Sequence, residues 1–258
     1  TYMVISIGLL VLPVSAGAEA PKVAVRADGY LGYSRLDIEN ADGDAFQGGG
    51  TASAAAVFDW LYTQIDVFGD RTDFDVNGSN FDFAAKSVGV GGRVGWRDSE
   101  RGSLGLVGLY DRLDLDGSDT DAGRIGLEGE LFLDRVTLGL NGGDAQFDDE
   151  DSGYLDGRVA YYPTDRIKLD AGAGAFDLEE DDQTVVAGAG GEFLMLDALS
   201  AFVRWEASFF DSAIDIEQHS LVVGARLYWG AETPSLVAYD RQYFKRSCGG
   251  YLLVARLC

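Results

Sequence analysis

Apolar residues recur at every second position from Val25 to Trp229, in runs of about ten residues, the length of a strand that crosses a bilayer, and each run ends in a cluster of Asp, Gly, Asn or Ser. Successive side chains of a strand point to opposite faces, so a period of two marks strands with one apolar face. Near the end of the pattern Leu221, Val223, Ala225, Leu227 and Trp229 fall on one face, and Ser220, Gly224, Arg226 and Tyr228 on the other. Repeated about a dozen times with no helical-period segment between, the alternation predicts an all-β transmembrane antiparallel up-and-down barrel. A soluble sandwich also alternates, so the remaining features must separate the two.

The N-terminus supplies one of them. Met3 to Val14 is apolar and uncharged, and Ala16-Gly17-Ala18 follows as a small-x-small cleavage site. This predicts a signal peptide over 1–18. The stretch is shorter than the ~20 residues a spanning helix needs. The expected organisation is leader, barrel over 19–230 and a tail over 231–258. The tail breaks the pattern: from Arg241 onward it is basic, with Arg241, Lys245, Arg246 and Arg256 and no acid, and it holds both cysteines, Cys248 and Cys258. A frameshifted end, a periplasmic extension, or an extra strand over Tyr251 to Leu257 would each account for it.

Charge narrows the partners. The chain has 43 Asp plus Glu against 20 Lys plus Arg, which excludes nucleic acid, whose phosphates need a basic face. No disulfide framework runs through the barrel region, and a closed barrel needs none because its strands satisfy one another around the ring.

Tight turns are expected at Asp59 to Trp60, Arg97 to Gly102, Asp134 to Arg135, Pro163 to Asp165 and Leu196 to Leu199. Longer polar loops are expected at Glu39 to Gly49, Thr72 to Asn80, Asp114 to Asp121, Asp144 to Ser152, Asp177 to Asp182 and Asp211 to Gln218. Five turns and six loops require twelve strands with both ends on the tight-turn side, an even count as in bacterial single-chain barrels.

Alternation also assigns the faces. With Ile125, Leu127, Leu131 and Leu133 toward lipid, Arg124, Glu128 and Glu130 line the lumen. With Ala201, Val203, Trp205, Ala207 and Phe209 toward lipid, Arg204 and Glu206 line it too. The same rule places Arg26, Asp28, Asp156, Arg158, Lys168, Asp170, Glu192 and Arg226 inside, because a charge on the lipid face costs about 2–4 kcal/mol near the midplane. Arg93 joins them if a bulge near Lys86 to Val88 resets the register. This lumen is mixed in sign, which fits either a weakly selective channel or an interior filled by ion pairs.

Other candidates are weaker. Asp73, Asp75 and Asn77 before Gly78 match the opening of a calcium loop, but the twelfth position is Ala84 in place of the closing acid. Asp114, Asp116, Asp119 and Asp121 around Gly117 form a second oxygen-rich loop, also without the closing acid. No cofactor is expected beyond loosely bound divalent cations at the acidic loops. Asp66, Asp70, Asp73 and Asp75 could suggest an aspartate-based protease site at the barrel rim, which needs a paired histidine or a second carboxylate within hydrogen-bond reach. His219 and Ser220 are the residue types of a barrel lipid hydrolase, but adjacent strand residues face opposite ways.

With its leader, its strand count and the terminal aromatic pair Tyr228-Trp229, the chain resembles Gram-negative outer-membrane β-barrels, most nearly the porin-like proteins of alphaproteobacteria. The resemblance implies an outer-membrane location, a lipid bilayer and lipopolysaccharide as surroundings, and passive diffusion of small polar solutes. It carries over no functional residue and leaves the oligomeric state open. Structural or adhesion-type barrels with plugged lumens, and outer-membrane hydrolases, share the architecture.

Overall fold

The computed structural model describes residues 21–38, 41–76, 81–115, 117–147, 150–179, 182–211, 216–230 and 234–245. The predicted leader, the cysteines and Tyr251 to Leu257 lie outside them. Twelve strands run β1 Lys22–Ile38, β2 Ala41–Phe58, β3 Leu61–Val76, β4 Phe81–Asp98, β5 Gly102–Leu115, β6 Ser118–Leu133, β7 Val136–Phe147, β8 Glu150–Thr164, β9 Ile167–Glu179, β10 Asp182–Leu196, β11 Leu199–Asp211 and β12 Ile216–Trp229. Each pairs antiparallel with its chain neighbours, and β1 pairs with β12 from Val25↔Trp229 to Ile38↔Ile216, closing the ring. Closure satisfies the backbone groups that an open sheet would leave at its edges.

The lower rim carries the ends of β1 and β12 and the tight turns. At two of these turns Asp59 and Asp134 take φ of 55° and 42°, the left-handed conformation that hairpin turns require and that Asp tolerates better than most residues.

The upper rim differs from expectation. The segments anticipated as long loops are largely strand, with only 39–40, 77–80, 116–117, 148–149, 180–181 and 212–215 between the paired elements. Polar composition misled here because the acids keep the period of two and have partners on or across the strands. Arg71 pairs with Asp73 at 2.6 Å, Arg112 with Asp119, and Tyr110 donates to Asp121 at 2.8 Å. The strands therefore continue past the apolar band as a charged collar.

Outside, the band is built from residues such as Leu31, Ile65, Val67, Leu104, Ile125, Leu127, Leu140, Val203, Leu221 and Val223, all exposed. Trp60, Trp96, Tyr161 and Trp229 stand outward near the lower rim, and Tyr33, Phe46, Tyr110 and Trp205 above. Two aromatic girdles flanking an apolar belt suit the two interfaces of a membrane. In β4 the pairing with β3 and β5 runs without a shift, so no bulge resets its register. Arg93 is buried, and Lys86 points outward in the collar.

After β12 the chain turns inward. Gly230 has φ of 89°, and a Cβ there would lie 2.3 Å from the Val23 carbonyl oxygen, so only glycine fits. Residues 234–245 then cross the inside of the lower rim as one helical turn, Leu236–Ala238, and a wider π turn, Tyr239–Tyr243. Within this segment Leu236, Tyr239, Tyr243 and Phe244 pack into a buried cluster with Tyr62, Tyr162, Leu194 and Tyr228.

Candidate functional site

The barrel interior is layered. At the bottom lies the plug formed by 234–245. Above it sits a charged belt, then a polar layer where Ser34 and Ser220 hydroxyls meet at 2.8 Å. At the top an apolar cluster of Leu36, Phe74 and Leu113 with Ala45 and Ala85 fills the lumen, and Tyr154, Phe176 and Val186 with Ala145 form a second one. Near the upper rim the apolar face of the strands turns inward and the charged face outward.

The charged belt links its members into an alternating chain. Asp66 pairs with Arg93, and Arg93 Nε donates to Glu128 at 3.1 Å. Lys245 Nζ, from the plug, lies 3.2 Å from Glu128 and 3.6 Å from Glu130. Glu130 pairs with Arg158, whose side chain lies flat over Gly139, where a Cβ would come within 2.9 Å of it. On the other side Glu192 is a hub: it accepts from Ser200 Oγ at 2.6 Å, Tyr228 OH at 2.7 Å and Arg226 at 2.7 Å, with Lys168 at 3.5 Å. Arg226 also reaches Asp28 at 3.4 Å, which lies 3.9 Å from Arg26. Arg204 joins Asp170 at 3.1 Å and Glu206 at 3.6 Å. Arg124 stacks over Tyr154, and Asp156 accepts from Asn141 at 3.1 Å. These side chains are buried or half-buried within the ring.

The plug is docked by matched polar contacts. Asp240 accepts from Lys168 Nζ at 2.7 Å and from Tyr162 OH at 2.9 Å. Arg241 donates to Thr137 Oγ1 at 3.2 Å and the Val136 carbonyl at 2.9 Å, between the Phe132 and Tyr162 rings. Arg97, placed in a turn by the sequence reading, reaches inward to the carbonyls of Asp240 and Arg241, the latter at 2.8 Å. The Gln64 amide pairs with both backbone groups of Lys245, at 2.9 and 3.2 Å. Burial holds the Lys245 ammonium below its ordinary pKa, against the upward pull of Glu130 and Glu128. Two small cavities lie in the belt, one of about 20 Å³ beside Arg93, Asn141 and Arg158 and one of about 30 Å³ beside Lys168, Arg204 and Arg226. Each has room for about one water.

The weaker candidates separate. Asp66 and Asp70 face inward, Asp70 accepting from Ser87 at 3.1 Å, while Asp73 and Asp75 face outward, so the four share no site. Asp73 and Asp75 lie in an extended strand, without the curled backbone of a calcium loop, and Asn77 is outside the described residues. Asp114 accepts from the Gly117 N–H at 2.8 Å and Asp119 pairs with Arg112; Asp116 is outside the described residues. His219 stacks on outward-facing Trp205 at 6.0 Å, whereas Ser220 points into the lumen.

Sequence reasoning missed Gln64, Asn141 and the docking roles of Tyr62, Tyr162 and Tyr228. Their inward parity was readable. What they contact depends on a segment with no periodicity of its own.

The fold has solved counterparts. The outer-membrane channel from Pseudomonas putida F1 superposes with a TM-score of 0.64 at 12% identity, over 84% of this chain and 100% of that one. The fold is that of an outer-membrane β-barrel. The translocator domain of an autotransporter from Neisseria meningitidis gives 0.58 at 16% identity, over 80% of this chain and 88% of that one, and the β domain of a Bordetella autotransporter gives 0.50 at 16%, over 81% and 99%. No protein-family model and no curated protein matches the sequence.

Proposed function

We propose that this chain is an outer-membrane channel for small polar solutes, closed in the state described by its own segment 234–245. The observation that carries the reading is the charged belt: a barrel serving only as an anchor gains nothing from a ring of ionisable side chains on the inside of its wall, where each must be paired to offset its desolvation. A lumen that admits water when the plug leaves does use them, as the wall of a polar passage. Similarity to a solved outer-membrane channel supports it. The tight-turn rim then faces the periplasm of a Gram-negative cell, and the acidic collar lies outside, where divalent cations would bridge it to lipopolysaccharide.

The filled lumen favours one alternative, a structural barrel whose plug never leaves and whose collar does the interacting. Planar-bilayer recordings separate the two. A channel should show openings in the full chain that become more frequent when plug contacts are weakened by Tyr239→Ala. Silence from both, with insertion verified, would favour the structural barrel. Hydrolase chemistry is disfavoured because His219 and Ser220 lie on opposite faces of β12.

A further inference from the structure

The contact between Asp240 and the barrel wall is a carboxylate seated in a ready-made cradle. Lys168 Nζ and Tyr162 OH converge on the same Asp240 oxygen, Oδ2, at 2.7 and 2.9 Å. Tyr162 is buried and the Lys168 side chain is only 12% exposed. Wall cations elsewhere in the belt have wall partners: Arg158 has Glu130, Arg204 has Asp170, and Arg226 has Glu192 at 2.7 Å. Lys168 differs, because its nearest acid belongs to the plug and its wall acid, Glu192, is farther away at 3.5 Å and engaged by Ser200, Tyr228 and Arg226. The cavity beside Arg204 and Arg226 opens against the same cradle.

We propose that Lys168 and Tyr162 form a binding site for carboxylate-bearing solutes, and that Asp240 occupies it as a built-in stand-in for that ligand. The inference rests on the channel reading and adds a solute class to it. When the plug withdraws, Lys168 loses its closest counter-charge and Tyr162 its acceptor, and an incoming carboxylate restores both contacts as charge-assisted hydrogen bonds, stronger than those the replacing water makes. A cation is repelled there by the Lys168 ammonium. Solute and plug then compete for one site, and a carboxylate favours the open state by as much as its affinity for the vacated cradle.

The test uses the full chain refolded in detergent and acetate, the side-chain analogue of aspartate, as the probe. Asp240→Ala empties the cradle. Line broadening of ¹³C-acetate should then show binding that is at least tenfold weaker in the double variant Asp240→Ala/Lys168→Gln, with no binding of acetamide. Equal acetate binding by the single and double variants overturns the site. If Asp240→Ala does not refold, Asp240→Ser, too short to reach the cradle, is titrated in its place with the same criterion. Bilayer recordings keep the two readings apart. Binding without conductance by any variant retains the site and removes the channel; conductance by Asp240→Ala without acetate binding retains the channel and removes the site.

Discussion

Tyr228, the next-to-last residue of β12, lies face to face with Tyr239 of the plug, ring centroids 4.0 Å apart and planes 6° from parallel. The barrel's last strand and the segment that follows it thus meet again inside the lumen, a few residues after parting. The Tyr228 hydroxyl continues upward to Glu192 at 2.7 Å, so one residue ties the aromatic base of the plug to the charged belt.

Loosening that stack should free the plug without opening the ring. Tyr239→Ala removes the stack and the hydrogen bond from its hydroxyl to the Asp197 carbonyl at 2.6 Å. Large-to-small changes at buried aromatics cost about 3–5 kcal/mol. Limited trypsin digestion should cut faster at Arg241 and Lys245 in the variant, while heat-modifiable migration of the barrel persists. Unchanged cleavage would mean that the stack does not hold the plug.

Barrel closure predicts gel behaviour. A ring in which β1 and β12 share a full register has no edge from which detergent can peel strands, so the unboiled protein should migrate ahead of the boiled protein. Identical migration would count against a detergent-resistant barrel.

Neighbouring positions on β11 test the faces. Val203 stands outward in the apolar band and Arg204 inward against Asp170. Val203→Glu should impair insertion, with a cost of about 2–4 kcal/mol near the midplane. Arg204→Glu should insert and alter ion selectivity through the lumen. The opposite pattern in an insertion assay would invert the assignment for this strand.

Gly139 sets the position of Arg158. Because a Cβ would meet the Arg158 side chain at 2.9 Å, Gly139→Val should push the guanidinium off Glu130 and leave a buried carboxylate short of a partner. Breaking a buried pair costs about 3–5 kcal/mol. A lower urea midpoint for refolded protein, restored in part by adding Glu130→Gln, is the expected result.

Twelve strands, their faces and the lower-rim turns follow from the sequence itself, because a period of two leaves each charged side chain only one inexpensive side. Arg204 and Glu206 are assigned by their neighbours Val203 and Trp205 before any coordinate is known. Loop lengths at the upper rim do not follow in the same way: Asp73 and Asp119 are read as loop residues by composition, yet Arg71 and Arg112 keep them in the ladder. The tertiary structure alone decided the interior. Alternation states that Lys168 and Glu130 point inward, but which charge each one meets depends on ring geometry and on Asp240 and Lys245. Those two residues arrive from a segment with no strand period, and their positions are fixed by aromatic packing against Tyr228 and Tyr162, contacts between residues far apart in the chain that no local pattern encodes.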